Sequence, residues 1–252
     1  MSMRTLAVIP IPGLPRVQPG DDLPALLVEA LAASKVGTKR GDVVVVCQKV
    51  VSKAEGRVVD LASVTPSPLA ARLAAETGKD GRLIEVVLRE TTRIVRMTDG
   101  HLICETGPGW VCANAGVDES NGIAPGTATL LPLDADASAE RLRATLAAAS
   151  GSEIGVIVSD TFGRPWREGQ VDVALGVAGI GALLDWRGRV DMGGRDLHHT
   201  VLAVADQIAA AAGLLMEKDS GIAAVLVRGV DWASTTGRGR DLVRARATDL
   251  FR

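Results

Sequence analysis

Four groups of polar residues stand where apolar runs of the chain end. Lys49 and Lys53 follow the valines of "GDVVVVCQKVVSKAEGR", and Asp118 with Asn121 sits in "AGVDESNG". Asp160 with Thr161 closes "IGVIVSD", and Glu217 with Lys218 follows an alanine-rich run. Three carboxylates and several lysines on separate segments suit a polyphosphate with a divalent cation. A hard cation takes oxygen ligands, few from protein and the rest from phosphate and water, while lysines neutralise phosphates as point charges. Asp160 is the best placed, because phosphate-handling enzymes bring carboxylates to strand ends, and Thr161 adds a hydroxyl or a backbone oxygen. Each group also has a plainer use. An Asp after a strand serves equally as turn former or N-cap. Asp118 fits a polar turn, and Lys53 and Glu55 fit a solvated surface. Glu217 and Lys218 read as a helix end, where the dipole favours Lys and disfavours Glu, and that mismatch points to a role for Glu217.

Other chemistries lack their residues. The sequence has no G-x-x-x-x-G-K-[ST], and "GIGALL" at Gly179 to Leu184 is better explained by packing than by a dinucleotide. His101, His198 and His199 follow no nucleophile elbow, which argues against an activated serine. Cys47, Cys104 and Cys112 have no C-x-x-C spacing and read as reduced thiols of a cytoplasmic protein. His101 with Cys104 makes at most half of a zinc site. A net charge of −2, 2% aromatic residues and no Tyr argue against a nucleic-acid partner. The longest apolar run, Val173 to Leu184, is well short of the ~20 residues a membrane helix needs. The opening "LAVIPIPGLP" is broken by prolines and lacks a small-residue cleavage site, so neither membrane nor secretion is expected.

The elements that must position these groups follow from local pattern. Leu6 to Ile11 reads as a strand, followed by a Pro/Gly turn and a helix from about Leu23 capped by Asp21 or Asp22. Val43 to Val46 read as a strand buried on both faces that releases Lys49 and Lys53 onto a loop. "SPLAARLAAETG" carries Ser67 as N-cap, Pro68 at the first helical position and Gly78 past the end. Residues from about Leu83 to Arg96 fit helix or strand, and "HLICET" with "GWVCAN" reads as a hairpin. A strand is expected around Thr129 to Pro132 and a helix from about Ser138 to Ala149. "IGVIVSD" is a buried strand, and Val171 to Trp186 reads as a buried helix plus a turn. A long helix from about Thr200 to Met216, with Gly221 as its stop, precedes the core strand "AAVLVRG". The tail "DLVRARATDLF" reads as an amphipathic helix. With 252 residues, 47% of them apolar, and no repeat or linker, any subdomains share one body.

Taken in order, "GLPRVQPGDDL", "GDVVVVCQKVVSKAEGR", "ANAGVDESN", "SDTFGRPWREGQ", "VAVADQIAAAAGLLMEK" and "VLVRG" resemble the coenzyme F420-0:γ-glutamyl ligase family from near residue 8 to near residue 230. The terminal "DLF" resembles the ligase portion of actinobacterial forms. The resemblance implies an α+β fold of mixed sheets and packed helices, a single ligase domain over 1–252 built of two interleaved subdomains, and no appended flavin-binding domain. It implies an intertwined homodimer. It also implies a GTP-dependent ligase that joins L-glutamate to the lactyl carboxylate of F420-0 and adds further γ-linked glutamates. Two divalent cations, Mn2+ or Mg2+, with K+ beside them, belong to that picture.

Carried over residue by residue, the resemblance implies nucleotide contacts at Leu14, Pro15, Arg16, Val17, Gln48, Lys49, Lys53 and Asn121. The segment Met216, Glu217, Lys218, Asp219, Ser220, Gly221 and Ile222 would wrap the phosphates. Metal ligands fall on Asp118, Asp160, Thr161 and Glu217, and the catalytic pair is Asp160 and Lys53. By charge alone, Arg164 and Arg167 suit either an anionic substrate group or structural ion pairs. One stretch departs from the family pattern: in "DMGGRDLHHT", Gly193 stands where Tyr is usual and Asp196 where Glu is usual. That departure keeps open a metal- and nucleotide-dependent ligase or phosphotransferase for a different carboxylate. A non-catalytic relative would have lost ligands, and none of the carboxylates is lost.

Overall fold

The computed structural model describes residues 5–98, 100–232 and 237–250. Strand β1 (Ala7–Pro10) leads through the Pro/Gly turn into helix α1 (Leu23–Ser34), whose N-cap Asp22 accepts from the Ala25 N–H at 3.1 Å. Strand β2 (Val43–Cys47) follows, with Val43 to Val46 each 0% exposed. The chain then passes straight into helix α2 (Gln48–Ala54), so Lys49 and Lys53 sit on a helix and not on the expected loop. No Gly or Pro interrupts this segment before Gly56, and the Gln48 Nε2 donates to Ser52 Oγ one turn on at 2.6 Å.

Strand β3 (Val58–Asp60) precedes helix α3 (Pro68–Thr77), which Ser67 caps and which Gly78 ends at φ 69°, as its sequence signature predicts. The ambiguous stretch resolves into both alternatives: helix α4 (Gly81–Glu90), then strand β4 (Thr91–Thr98) where the β-branched residues cluster. Strands β5 (His101–Thr106) and β6 (Val111–Ala113) form the expected hairpin. Strand β7 (Thr127–Thr129) pairs with β3, beginning and ending earlier than its apolar run suggests. Helix α5 (Ala135–Ser150) and strand β8 (Gly155–Arg164) come next.

The segment from Val171 is not a helix. It belongs to strand β9 (Arg167–Ala178), antiparallel to β8. An apolar run rich in small residues carries no period that separates helix from buried strand, and a long partner decides the matter. The outer N–H groups of β9 at Ala174 and Val177 are met by Asp206 Oδ1 and Asp136 Oδ1, both at 2.9 Å, which closes that edge. Strands β10 (Leu184–Asp185) and β11 (Val201–Leu202) pair at the base of an exposed excursion through residues 186–200. Helix α6 (Val204–Gly213) is therefore shorter than expected at both ends, and Gly221, at φ 71°, lies in the loop beyond it. Strand β12 (Ala224–Arg228) completes the core.

The tail contains two short 3-10 turns, Gly239–Leu242 and Arg246–Thr248, in place of an amphipathic helix; Phe251 lies outside the described residues. Its backbone is directed to tertiary partners: Gly239 N donates to Asp136 Oδ1 at 2.6 Å, and a Cβ at Gly239 would stand 2.0 Å from the Leu175 carbonyl oxygen.

The main sheet has the order β1-β12-β2-β8-β9, and β2 with β8 is its parallel pair. Val44, Val46, Val156, Val158 and Leu226 pack under α1 and α5 against Leu27, Leu142 and Leu146. Val43, Val45, Ile157, Val225 and Val227 pack on α6 through Ile208, Ala209 and Ala212. A third core joins Leu73, Ile84 and Val87 to Leu102 and Cys104. Each fully buried aliphatic side chain contributes about 1.5–3 kcal/mol of transfer free energy. The fold is α+β.

Candidate active site

A cleft of about 560 Å³ opens at the carboxyl end of the parallel pair β2 and β8. Ligands of open α/β sheets collect at that end, where successive connections diverge. Five segments remote in sequence line it: Leu14 to Val17 after β1; Lys49 and Lys53 on α2; Asp118 and Asn121 before β7; Asp160 and Thr161 on β8; and Met216, Glu217, Lys218, Gly221 and Ile222 after α6. Three of the expected residues lie elsewhere. Gln48 is 2% exposed and donates to Leu130 O at 2.9 Å as well as to Ser52, so it fastens α2 to the strand beneath. Ser220 Oγ donates to Glu217 O at 2.9 Å and accepts from Ile222 N at 3.1 Å, shaping the 217–222 turn. Asp219 is exposed and outside the cleft lining. Because α6 stops at Gly213, Glu217 and Lys218 are loop residues, and the helix-end argument for Glu217 does not apply.

The α2 wall is cationic and internally paired. Lys49 Nζ meets Asp118 Oδ2 at 2.7 Å and Ser120 Oγ at 2.6 Å, and Lys53 Nζ donates to Asn121 O at 2.6 Å. Asn121 adopts φ 54° and its amide donates to Lys218 O at 3.3 Å, linking this loop to the one after α6. Burial works against the charge of Asp118, yet Lys49 and Ser120 hold its carboxyl below the ordinary range. Burial, with Lys49 and Arg16 nearby, lowers the Lys53 ammonium from its usual value.

The β8 wall carries acidic groups whose charge burial disfavours. Burial pushes the Asp160 carboxyl up to about 7; the Thr161 N–H and Lys49 oppose that rise, and Asp172 and Asp118 add to it. Among the described residues no Lys or Arg forms an ion pair with Asp160. Thr161 Oγ1 donates to Asp172 Oδ1 at 2.8 Å, and burial raises the Asp172 carboxyl despite that bond.

Several cleft residues escaped sequence reasoning. Cys47, Cys112, Phe162, Gly163 and Gln170 line it, and Phe162 is its one aromatic side chain. No periodicity in the sequence marked them, because the Val171 to Trp186 run does not separate strand from helix. Burial raises Cys47 to about 11 and Cys112 to about 12, so both thiols stay protonated near neutrality. Arg164 turns back on its own hairpin, donating to Glu168 O and Gly169 O, and neither it nor Arg167 lines the cleft. Gly193 and Asp196 lie in the exposed 186–200 excursion, also outside the cleft.

The donor set fits a hard cation held jointly with phosphate. Asp160 offers a largely buried carboxyl with no ion-pair partner among the described residues, and Asp118, Glu217 and Thr161 place further oxygens around the same space. Among the described residues no three His, Cys, Asp or Glu side chains form a ready-made cage.

Cleft, sheet and lining together define an α+β protein whose cleft gathers basic and acidic side chains from five segments. The family described as F420-0:Gamma-glutamyl ligase matches residues 13–229. The chain is 45% identical to the coenzyme F420:L-glutamate ligase of Methanothermobacter thermautotrophicus over 98% of this chain and 99% of that one. It is 44% identical to the protein of the same name from Methanopyrus kandleri, over 98% of each, and 43% identical to that of Archaeoglobus fulgidus, over 97% and 96%. The chain belongs to the F420-0:γ-glutamyl ligase family and is an acid–amino-acid ligase.

Proposed function

We propose that this ligase joins L-glutamate to the lactyl carboxylate of F420-0 with GTP as the energy source, and can extend the product with further γ-linked glutamates. The observation that carries the reading is the convergence of Arg16, Lys49, Lys53 and Lys218 with Asp118, Asp160 and Glu217 from five segments on one cleft. A carboxylate is a poor electrophile, so amide formation needs activation. A lactyl carboxylate oxygen attacks the γ-phosphorus of GTP and displaces GDP, giving an acyl phosphate. The α-amine of glutamate attacks the acyl carbon, phosphate leaves, and a proton passes to solvent. Lys49 and Lys53 neutralise the phosphate chain, and Arg16 adds charge at the entrance. Asp118, Asp160, Thr161 and Glu217 would hold Mn2+ or Mg2+, which when bound offsets charge on the phosphates. The active form in this reading is a cytoplasmic homodimer.

The test is purified protein with F420-0, L-glutamate, GTP and Mn2+. The expected product has gained one glutamyl residue, with one GDP released per amide. GDP release without that gain in mass would assign the site to another carboxylate, and equal turnover with ATP would remove the nucleotide assignment.

A further inference from the structure

We propose that Asp172 is a positioning residue of this site: it accepts the Thr161 hydroxyl proton, so that the oxygen turns its lone pairs to the cleft as a cation ligand. The proposal rests on the metal-binding reading above. A hydroxyl has one proton to give and two lone pairs, and a carboxylate can only accept. The Thr161 Oγ1 to Asp172 Oδ1 bond of 2.8 Å therefore settles which way the hydroxyl faces. A Thr161 free to rotate would offer its proton to the cleft as often as its lone pairs.

Two features of the backbone hold this pair in place. Val158 pairs with Gly176 and Ser159 with Ala174, so Leu175 is an extra residue on β9. That bulge shifts the register by one and sets Asp172, not Val173, opposite Thr161. The second feature is Gly213, the last residue of α6. A Cβ there would stand 2.9 Å from Asp172 Cγ and 3.1 Å from its Oδ2. Glycine at this point leaves room for the carboxylate beside Thr161, at the root of the loop that carries Glu217. Its φ is not in the left-handed region, so the backbone itself does not require glycine.

The decisive measurement is Mn2+ affinity of the protein with a non-hydrolysable GTP analogue bound, read from the electron paramagnetic resonance signal of free Mn2+, with a melting curve for each variant. Outer partners of metal ligands typically change affinity by about 10–100-fold, and Asp172→Ala is expected to weaken Mn2+ by that factor. Asp172→Asn keeps an acceptor for the hydroxyl and recovers most of the loss. Gly213→Ala weakens Mn2+, because its Cβ displaces the Asp172 carboxyl. In a Thr161→Val background, Asp172→Ala adds no further loss. Wild-type affinity in Asp172→Ala, an Asp172→Asn protein as weak as Asp172→Ala, or losses that multiply in the double variant would overturn the proposal. A wild-type protein that binds no Mn2+ would overturn the metal reading and this inference with it.

Discussion

The two walls of the cleft solve opposite electrostatic problems. On the α2 wall, Lys49 and Lys53 are bound to acceptors of a single loop, at Asp118, Ser120 and Asn121. On the β8 wall, Asp160 has burial, two acidic neighbours and no ion-pair partner among the described residues. A protein selected for stability alone would pair the second wall as it pairs the first, because an uncompensated buried carboxylate is costly. The asymmetry is what the cation-binding reading proposed above requires. Lys49 stands at the boundary, since it is paired with Asp118 and also acts on Asp160.

The largest expected effect comes from removing the unpaired charge. Asp160→Asn should lower turnover by on the order of 10³-fold, since cation stabilisation of phosphates is worth several kcal/mol and each 1.36 kcal/mol is tenfold. The metal-free variant should melt no lower than wild type, because the amide is not charged in a buried place. Activity close to wild type would show that the β8 wall is merely strained and not functional.

The paired wall should respond differently. Lys49→Ala removes one partner of a part-buried ion pair and leaves Asp118 its two bonds from Ser120, whereas Lys53→Ala removes a bond to a neutral carbonyl. Lys49→Ala is therefore expected to cost more stability, up to about 1 kcal/mol for a solvent-screened ion pair. Both should raise the KM for nucleotide, roughly tenfold or more, and flatten its salt dependence. Equal stability loss in the two variants would remove the distinction between Asp118 and Asn121 as anchors.

Sequence legibility divides along the same line. The carboxylates and lysines were readable because each follows an apolar run, and such runs end at the edge of a core. Ser67 and Gly78 bounded α3 correctly because caps answer local backbone needs, whatever the tertiary context. What stayed hidden depends on partners. β9 is a strand because β8 lies beside it, and the bulge at Leu175 that brings Asp172 to Thr161 leaves no mark in composition. Gln48 resembled a ligand by its place in a motif, yet the direction of its side chain is decided by Leu130 across the fold. The tail looked amphipathic, but Asp136 and the Leu175 carbonyl claim its backbone.

Asp206 offers the smallest effect and the sharpest control. Like Asp160 it is a carboxyl raised by burial, but its Oδ1 accepts from the Ala174 N–H at 2.9 Å and it does not line the cleft. A carboxyl raised in the folded state gives its full stability below the ordinary carboxylate range and loses it as pH climbs through the raised value. Asp206→Asn keeps the acceptor and cannot ionise, so its stability relative to wild type should improve from pH 3 to pH 7. Its place in the first turn of α6 works against this, since a helix N-terminus favours a negative charge by about 0.3–1 kcal/mol. The net gain in urea denaturation is therefore expected to stay below about 1 kcal/mol, with activity unchanged. Mn2+ should raise the melting temperature of Asp206→Asn as it does that of wild type, and should fail to raise that of Asp160→Asn. If Mn2+ stabilised both variants alike, burial alone would account for the raised carboxyl of Asp160, and the two walls would differ in shape rather than in purpose.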